Sequence, residues 1–372
     1  MERRGRGHTK IERELPLCDK IKHLSDSSPS IFAGPEALSY FDGWLGEAGS
    51  AYSAIYFLVD ANTAEHCLVR LAASLEQLPE FEMLEIPAGE EQKSWEVAGQ
   101  LLAALAELGA DRRALLIALG GGVVTDLGGF VASIYKRGID HVLVPTSLLG
   151  MTDAAIGGKN GVDLDGAKNL AGVFRHPRAL VVWPDFLDTL PEESILDGSA
   201  ESIKHGLIAD AAFLGELKRG EEAWTAAQVE RSMAIKTEIC AEDMLERGKR
   251  KLLNFGHTVG HALESHMLQN ETPWSHGRCV AAGMCVEIEL SVELLGFPVL
   301  KRDEVNNYLI DHFGLSELKE TTFSQWRSWL SYDKKNAEGQ WRFVLLKDLG
   351  EAKYDQPVTP EQLDRAWTKA FQ

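Results

Sequence analysis

The sequence predicts an α/β domain with a mostly parallel sheet over residues 1–190, followed by a mainly helical domain over 191–372. Three observations predict it. The first half alternates short apolar, β-branched runs with segments of helical spacing, as a parallel sheet with crossover helices requires. A triple glycine, Gly120-Gly121-Gly122, joins one such run to a helix. After about Pro191 the strand runs give way to long stretches with apolar residues three and four apart.

The elements follow in order. MERRGRGHTKIERELP has basic residues but no apolar run after it, so residues 1–16 read as a loosely ordered tail and not as a secretory signal. SAIYFLVD (Ser53–Asp60) and FEMLEIP (Phe81–Pro87) read as buried strands. Ser94–Leu108 has the spacing and the helix formers of a helix. Ala114–Gly122 is a strand running into the glycine turn, and Val123–Tyr135 a helix packed closely through Gly128 and Gly129. His141–Ser147 and Ala179–Pro184 are further strands. Ser194–Gly215, Thr225–Ala241, Lys249–Met267, Arg278–Leu295 and Arg302–Phe313 read as helices, and Trp341–Leu346 as a late strand after the turn-like DKKNAEGQ.

Bulk composition excludes several function classes. The formal charge of −18 argues against non-specific binding to nucleic acid or anionic membrane. An anionic substrate therefore needs a local cationic cluster. The five cysteines (Cys18, Cys67, Cys240, Cys279, Cys285) show no paired spacing and read as reduced thiols of a cytoplasmic protein. No apolar run reaches the length of a membrane helix.

Four stretches carry chemistry. Glycines before a helix, as at Gly121 and Gly122 with Asp126 one turn in, let backbone amides approach a pyrophosphate, although a plain tight turn has the same look. Asp60 and Asn62 close the first strand where a ribose would sit, and Glu90 and Lys93 could serve similarly; alone, each fits a solvated turn. In PTSLLGMTDAAIGGKNGVDLDGAKN, Gly157-Gly158 before Lys159, with Lys168-Asn169 nine residues on, reads as a backbone nest with cationic ends, a cradle for phosphate or carboxylate, or as an ordinary surface loop. In AESIKHG, Glu201 and Lys204 share a helix face beside apolar Ile203 and Leu207. A partly buried glutamate there needs a cation or a metal.

The stretch from Arg247 to Cys285 holds His257 and His261 four residues apart, then His276, with Arg250 and Asn254 in the same helical register. Spacing alone makes His257 and His261 the natural metal pair, and Glu201 with two histidines would leave one position open, as catalytic zinc sites do. A lone histidine on such a helix is more often a satisfied core residue; three with an arginine and an amide argue for a metal or anion site.

Six segments together resemble the 3-dehydroquinate synthase family: GGGVVTDLGGFVASIYKRG, PTSLLGMTDAAIGGKNGVD, GAKNLAGVF, AESIKHGLI, KRKLLNFGHTVGHALE and SHGRCVAAGM. The resemblance covers about residues 53–350 and implies a Rossmann-like, nucleotide-binding α/β domain over 1–190 and a helical metal- and substrate-binding domain over 191–372. It implies an enzyme that turns 3-deoxy-D-arabino-heptulosonate 7-phosphate into 3-dehydroquinate and phosphate, by oxidation with NAD, phosphate elimination, reduction, ring opening and aldol closure. It implies a divalent metal, zinc or cobalt or another, held by Glu201, His257 and His276, which moves His261 to the substrate side. It implies NAD contacts at Asp60, Asn62, Glu90, Lys93, Gly121, Gly122, Asp126, Thr146, Ser147, Lys168 and Thr189. Substrate contacts are implied at Asp153, Lys159, Asn169, Lys204, Arg250, Asn254 and His261, and at Lys335, with Lys334 as the alternative register. Arg137 is implied to reach a neighbouring subunit's phosphate, hence a homodimer. The chain departs from the family in reading PTS, MTDAA and GKN where PTT, QVDSS and GKT are usual, and in His205 where a tyrosine is common. A related sugar-phosphate cyclase with another substrate, or a polyol dehydrogenase of the glycerol dehydrogenase type, stays open as an alternative.

Overall fold

The computed structural model describes residues 29–164, 167–220, 224–268, 273–332 and 341–372. In chain order the strands are β1 (Ser30–Ala33), β2 (Ile55–Asp60), β3 (Phe81–Ile86), β4 (Leu115–Gly120), β5 (Asp140–Pro145), β6 (Lys159–Leu164), β7 (Ala167–Phe174), β8 (Ala179–Val182), β9 (Trp341–Asp348) and β10 (Glu351–Val358). Six of them form one parallel sheet in the order β1-β8-β5-β4-β2-β3. All six residues of β4 are buried, as its unbroken LLIALG run requires for a strand covered on both faces.

The chain leaves β2 to one side for β3 and returns on the other side for β4. That reversal is where ligands bind in such sheets, outside the carboxyl ends of the strands. The register lines those ends up, with Asp60 opposite Ile86 and Gly120 opposite Pro145. Gly128 of the Gly122–Ile134 helix lets that helix close on β4, since a Cβ there would sit 2.6 Å from Ala118 Cβ.

Three expectations change. The glycine-rich stretch after Gly158 is a hairpin, β6 and β7 antiparallel, not a loop. Its alternation is hidden by glycine: Gly161 pairs Gly172, and a Cβ on either would come 3.0 Å from the facing carbonyl. Secondly, Ser194–Gly215 is two helices, Glu192–Ala209 and Ala211–Lys218. Asp210 turns the chain and caps the second, its Oδ1 accepting from Ala212 and Phe213 N at 3.1 and 3.0 Å. Thirdly, Lys249–Met267 is a 3-10 turn (Lys249–Asn254) and then a helix (His257–Met267), so Arg250 and Asn254 are not in register with His257. Gly256 breaks the run at φ +79°, and its N–H donates to buried Glu287 Oε2 at 2.8 Å.

Later helices form a second core. The His276–Leu295 helix runs through it, with the Trp326 and Trp367 rings 4.9 Å apart beside it. The closing helix Pro360–Phe371 starts from a Thr359–Gln362 capping box and buries Leu363, Ala366, Trp367, Ala370 and Phe371. This helix, Ala37–Ala48, β1 and β10 go beyond the elements expected from sequence. Among the described residues no helix is long and apolar enough to cross a membrane.

Candidate active site

Two helices meet through glycine to build one corner of the site. Gly256 and Gly260 of the first face Val280, Gly283 and Met284 of the second. A Cβ on Gly260 would lie 3.0 Å from Val280 Cα, and one on Gly283 would overlap the Gly256 carbonyl. The start of the second helix is pinned to a third: Gly277 N–H donates to Asp197 Oδ1, one turn before Glu201. His257, His276 and Glu201 therefore arrive from three helices whose spacing tight packing leaves no room to change.

His257 Nε2 lies 3.3 Å from Glu201 Oε1, and His276 Nε2 lies 3.6 Å from the same oxygen. Glu201 is fully buried; Oε2 accepts from Lys204 Nζ, whereas Oε1 has no hydrogen-bond partner among the described residues. A carboxylate oxygen without a hydrogen-bond partner, facing two imidazole nitrogens, fits a divalent cation. Burial opposes the charge on Glu201, but Lys204 and then His257 outweigh it and hold the carboxyl well below its ordinary range. Burial, then the Lys204 charge, lowers His257, which keeps it a neutral donor. Burial also opposes charge on His276, yet Glu201 and Glu264 raise it to about 10, so the corner favours positive charge. His257 Nδ1 lies 3.1 Å from Phe255 O, which leaves Nε2 pointing inward.

His261 is not in this set. It sits on the exposed side of the helix, its ring 5.2 Å from that of His257. With Glu264 and His276 it forms a second group close enough for a cation, but without a buried orphan oxygen.

A second corner holds the cations. Arg250 is buried and its Nη1 donates to Gly157 O at 2.8 Å and Met244 O at 2.7 Å. Lys159 Nζ pairs with Glu246 Oε2, and Asn254 Nδ2 donates to Glu246 Oε1 at 2.5 Å. Burial, helped by Arg250 and Lys236, lowers Lys159 more than Glu246 raises it. Asp153 Oδ1 lies 4.0 Å from Lys204 Nζ and 2.6 Å from Lys236 Nζ.

The expected cofactor residues gather along the carboxyl edge of the sheet. Asp60 ends β2 and caps the next turn, accepting from Thr63 N at 2.8 Å; Asn62 follows, exposed. Gly121 caps the helix after β4 and, having no side chain, makes no capping hydrogen bond to its first amides. Ser147 Oγ would touch a Cβ on Gly121 at 3.4 Å, and Thr146 is buried after β5, its N–H donating to Gly120 O at 3.0 Å. Open amides beside small residues fit a pyrophosphate. Lys93 Nζ reaches Asp126 Oδ2 at 2.5 Å; burial opposes its charge, but Asp126 outweighs it and raises the lysine. Lys168 links exposed Glu90 (3.7 Å) to Glu264 (2.9 Å), and Thr189 follows β8. Asn169 stands on the hairpin at φ +52°, its N–H donating to Asp163 Oδ1 at 2.6 Å. Arg137 is exposed at φ +71°. Lys334 and Lys335 lie outside the described residues.

Comparison with known proteins now decides the family. The profile for the 3-dehydroquinate synthase N-terminal region matches residues 83–197, and that for the C-terminal region matches 198–336. The chain belongs to the 3-dehydroquinate synthase family. It is 38% identical to the 3-dehydroquinate synthase of Parabacteroides distasonis, over 84% of this chain and 90% of that one. It is 38% identical to that of Xanthomonas axonopodis pv. citri, over 88% and 95%. Among solved structures it is similar to 2-epi-5-epi-valiolone synthase of Streptomyces hygroscopicus, with NAD+ and Zn2+ bound, at a TM-score of 0.80 and 26% identity, covering 94% of this chain and 98% of that one.

Sequence reasoning missed three residues in this family site. Lys236 holds Asp153, and its place on the buried stripe with Met233 and Cys240 was a readable signal. Glu264, three residues after His261, braces His276 and Lys168. Glu246 ties Lys159 to Asn254 from a turn at φ +57°, and no local pattern announces it.

Proposed function

We propose that the chain is a 3-dehydroquinate synthase, converting 3-deoxy-D-arabino-heptulosonate 7-phosphate to 3-dehydroquinate and phosphate. The observation that carries this is the unpartnered Glu201 Oε1 between His257 and His276, with Lys204 on the other carboxylate oxygen and a second cationic corner at Lys159 and Arg250, in a chain of net charge −18. Glu201, His257 and His276 would hold a divalent metal, which when bound supplies Lewis acidity toward a substrate hydroxyl. The open helix start at Gly121 and Gly122, with Asp60, Asn62, Glu90, Lys93, Asp126, Thr146, Ser147, Lys168 and Thr189, would hold NAD, which when bound takes a hydride and returns it within one turnover.

The residues of the chain do the rest. Lys204 keeps Glu201 ionised and its second oxygen fixed. Lys159, Arg250 and Asn254, with Lys335, supply the charge and hydrogen bonds that a carboxylate and a phosphate require, and His261 and Asn169 complete that wall. Asp153, held by Lys236, accepts a hydrogen bond from a substrate hydroxyl. Burial of Lys204, Arg250 and Glu201 keeps water from these contacts, which strengthens each. The enzyme is thus a metal-dependent phosphate-eliminating lyase of the cytoplasm. Arg137 reaches across a homodimer to the partner's substrate.

The test is phosphate release from the seven-carbon substrate with catalytic NAD, with and without chelator. Release that stops with chelator and leaves no NADH behind is expected. NADH accumulating in step with substrate would mark a dehydrogenase instead.

A further inference from the structure

The donor set of Glu201, His257 and His276 adjoins a second set, His261, Glu264 and His276, and within each set the donor atoms lie within 4.8 Å of one another. His276 belongs to both: its Nε2 is 3.6 Å from Glu201 Oε1 and its Nδ1 3.7 Å from Glu264 Oε1. The three imidazole rings form a triangle. Their centroids are 5.2 Å apart for His257 and His261, 5.5 Å for His257 and His276, and 5.9 Å for His261 and His276. Exposure falls inward across this triangle. His261 is exposed, the His276 side chain is 27% exposed, that of His257 13% and that of Glu201 0%.

A hydrated divalent cation is too strongly solvated to enter a buried corner in one step. It exchanges water for protein ligands stepwise, so a buried seat needs donors at its mouth as well, as an entry path. The second set stands at that mouth. It is also suited to holding an ion only briefly. His261 is in solvent, and Glu264 Oε1 already accepts from Lys168 Nζ at 2.9 Å, a cation that competes with the ion and repels it. The inner set has the opposite character, since Glu201 Oε1 has no hydrogen-bond partner among the described residues. An ion captured outside therefore moves downhill toward Glu201.

We propose that His261 and Glu264 form a loading station for the metal: with His276 they capture a divalent cation from solvent and pass it to Glu201 and His257. This rests on the proposed metal site at Glu201, His257 and His276. It gives His261 a task before any substrate arrives, in addition to its place in the substrate wall.

The test follows zinc uptake by the chelator-stripped chain, and zinc release into an excess of chromophoric chelator, by stopped flow without substrate or NAD. A station on the path speeds both directions and leaves the end points alone, because an ion held nearby meets the seat at a high effective concentration. His261→Ala should therefore slow uptake and release by the same factor, on the order of tenfold, with zinc affinity unchanged. His261→Asp, which restores a donor at that position, should recover most of the rate. Lys168→Met, which removes the competing ammonium, should speed uptake; an unchanged or slower rate there overturns the passage through Glu264. Unchanged uptake in His261→Ala leaves that histidine to the substrate, and faster uptake makes it a plug over the site; either overturns the inference alone. Weaker zinc affinity in His261→Ala at an unchanged uptake rate would make His261 a ligand of the resident ion, and also overturns it. A wild-type chain that takes up no zinc overturns the metal site itself, and this inference with it.

Discussion

The two corners of the site are built in opposite ways. At the Glu201 corner, three side chains from three packed helices converge and leave an oxygen unpaired. At the Arg250 corner the charged groups already have protein partners: Arg250 holds two carbonyls, and Glu246 takes both Lys159 and Asn254. The first is preorganised for a cation. The second is neutralised within the chain, and an anion taking up Lys159 or Asn254 would have to displace Glu246. Rigidity suits a resident metal, whose position must not drift, whereas exchangeable partners suit a ligand that enters and leaves every cycle.

The largest effect should come from breaking the rigid corner. Glu201→Ala or His257→Ala should abolish metal binding and turnover together, with metal affinity falling by well over about 100-fold, beyond what losing a brace around a ligand costs. Full metal stoichiometry in either purified variant would end the ligand assignment. Glu264→Ala removes the carboxylate 3.7 Å from His276 Nδ1. Metal titration should show roughly 10- to 100-fold weaker binding, the usual cost of losing such a brace. An unchanged affinity would mean that packing alone orients His276.

The exchangeable corner should respond more gently. Lys159→Ala should raise the substrate KM by roughly tenfold while NAD affinity, measured by fluorescence titration, stays put. Weakened NAD binding would move the hairpin to the cofactor side. Glu246→Gln takes away the competing charge, so inorganic phosphate should bind a few-fold more tightly, a change of roughly 1 kcal/mol for a pair so near solvent. Weaker phosphate binding would show that Glu246 shapes the pocket instead of blocking it.

A stability effect, separate from ligand binding, lies outside both corners. His141 on β5 is buried with neither ring nitrogen paired among the described residues, and burial pushes it down to about 3. The unfolded chain takes up a proton near the ordinary 6.5 that the folded chain refuses. Stability should therefore fall as pH drops from about 6.5 toward 3, by about 1.4 kcal/mol per unit. His141→Leu should flatten that part of the melting-temperature profile, and an unchanged slope would assign the acid sensitivity to other groups.

Much of the fold was legible because its signals are local. Runs such as IYFLVD and LLIALG announce doubly covered strands, and a glycine turn into a helix announces an open amide cluster. The hairpin of β6 and β7 was not legible, because its paired glycines carry no side-chain alternation to read. The register of Arg250 and Asn254 was misread for a related reason: Gly256 adopts a left-handed conformation that depends on Glu287, 31 residues away.

By itself the sequence determined the parallel sheet, the position of its ligand-binding edge, the helical second half and, through six ordered segments, the family. Helical spacing offered His257 and His261 as partners, since it records only which residues share a helix face. Only the tertiary structure decided that His257 faces Glu201 and His276 from two other helices while His261 looks outward, and that Glu246 and Lys236 join the site at all. Those choices depend on how closely glycine lets separate helices approach, a distance that no pattern along one chain segment encodes.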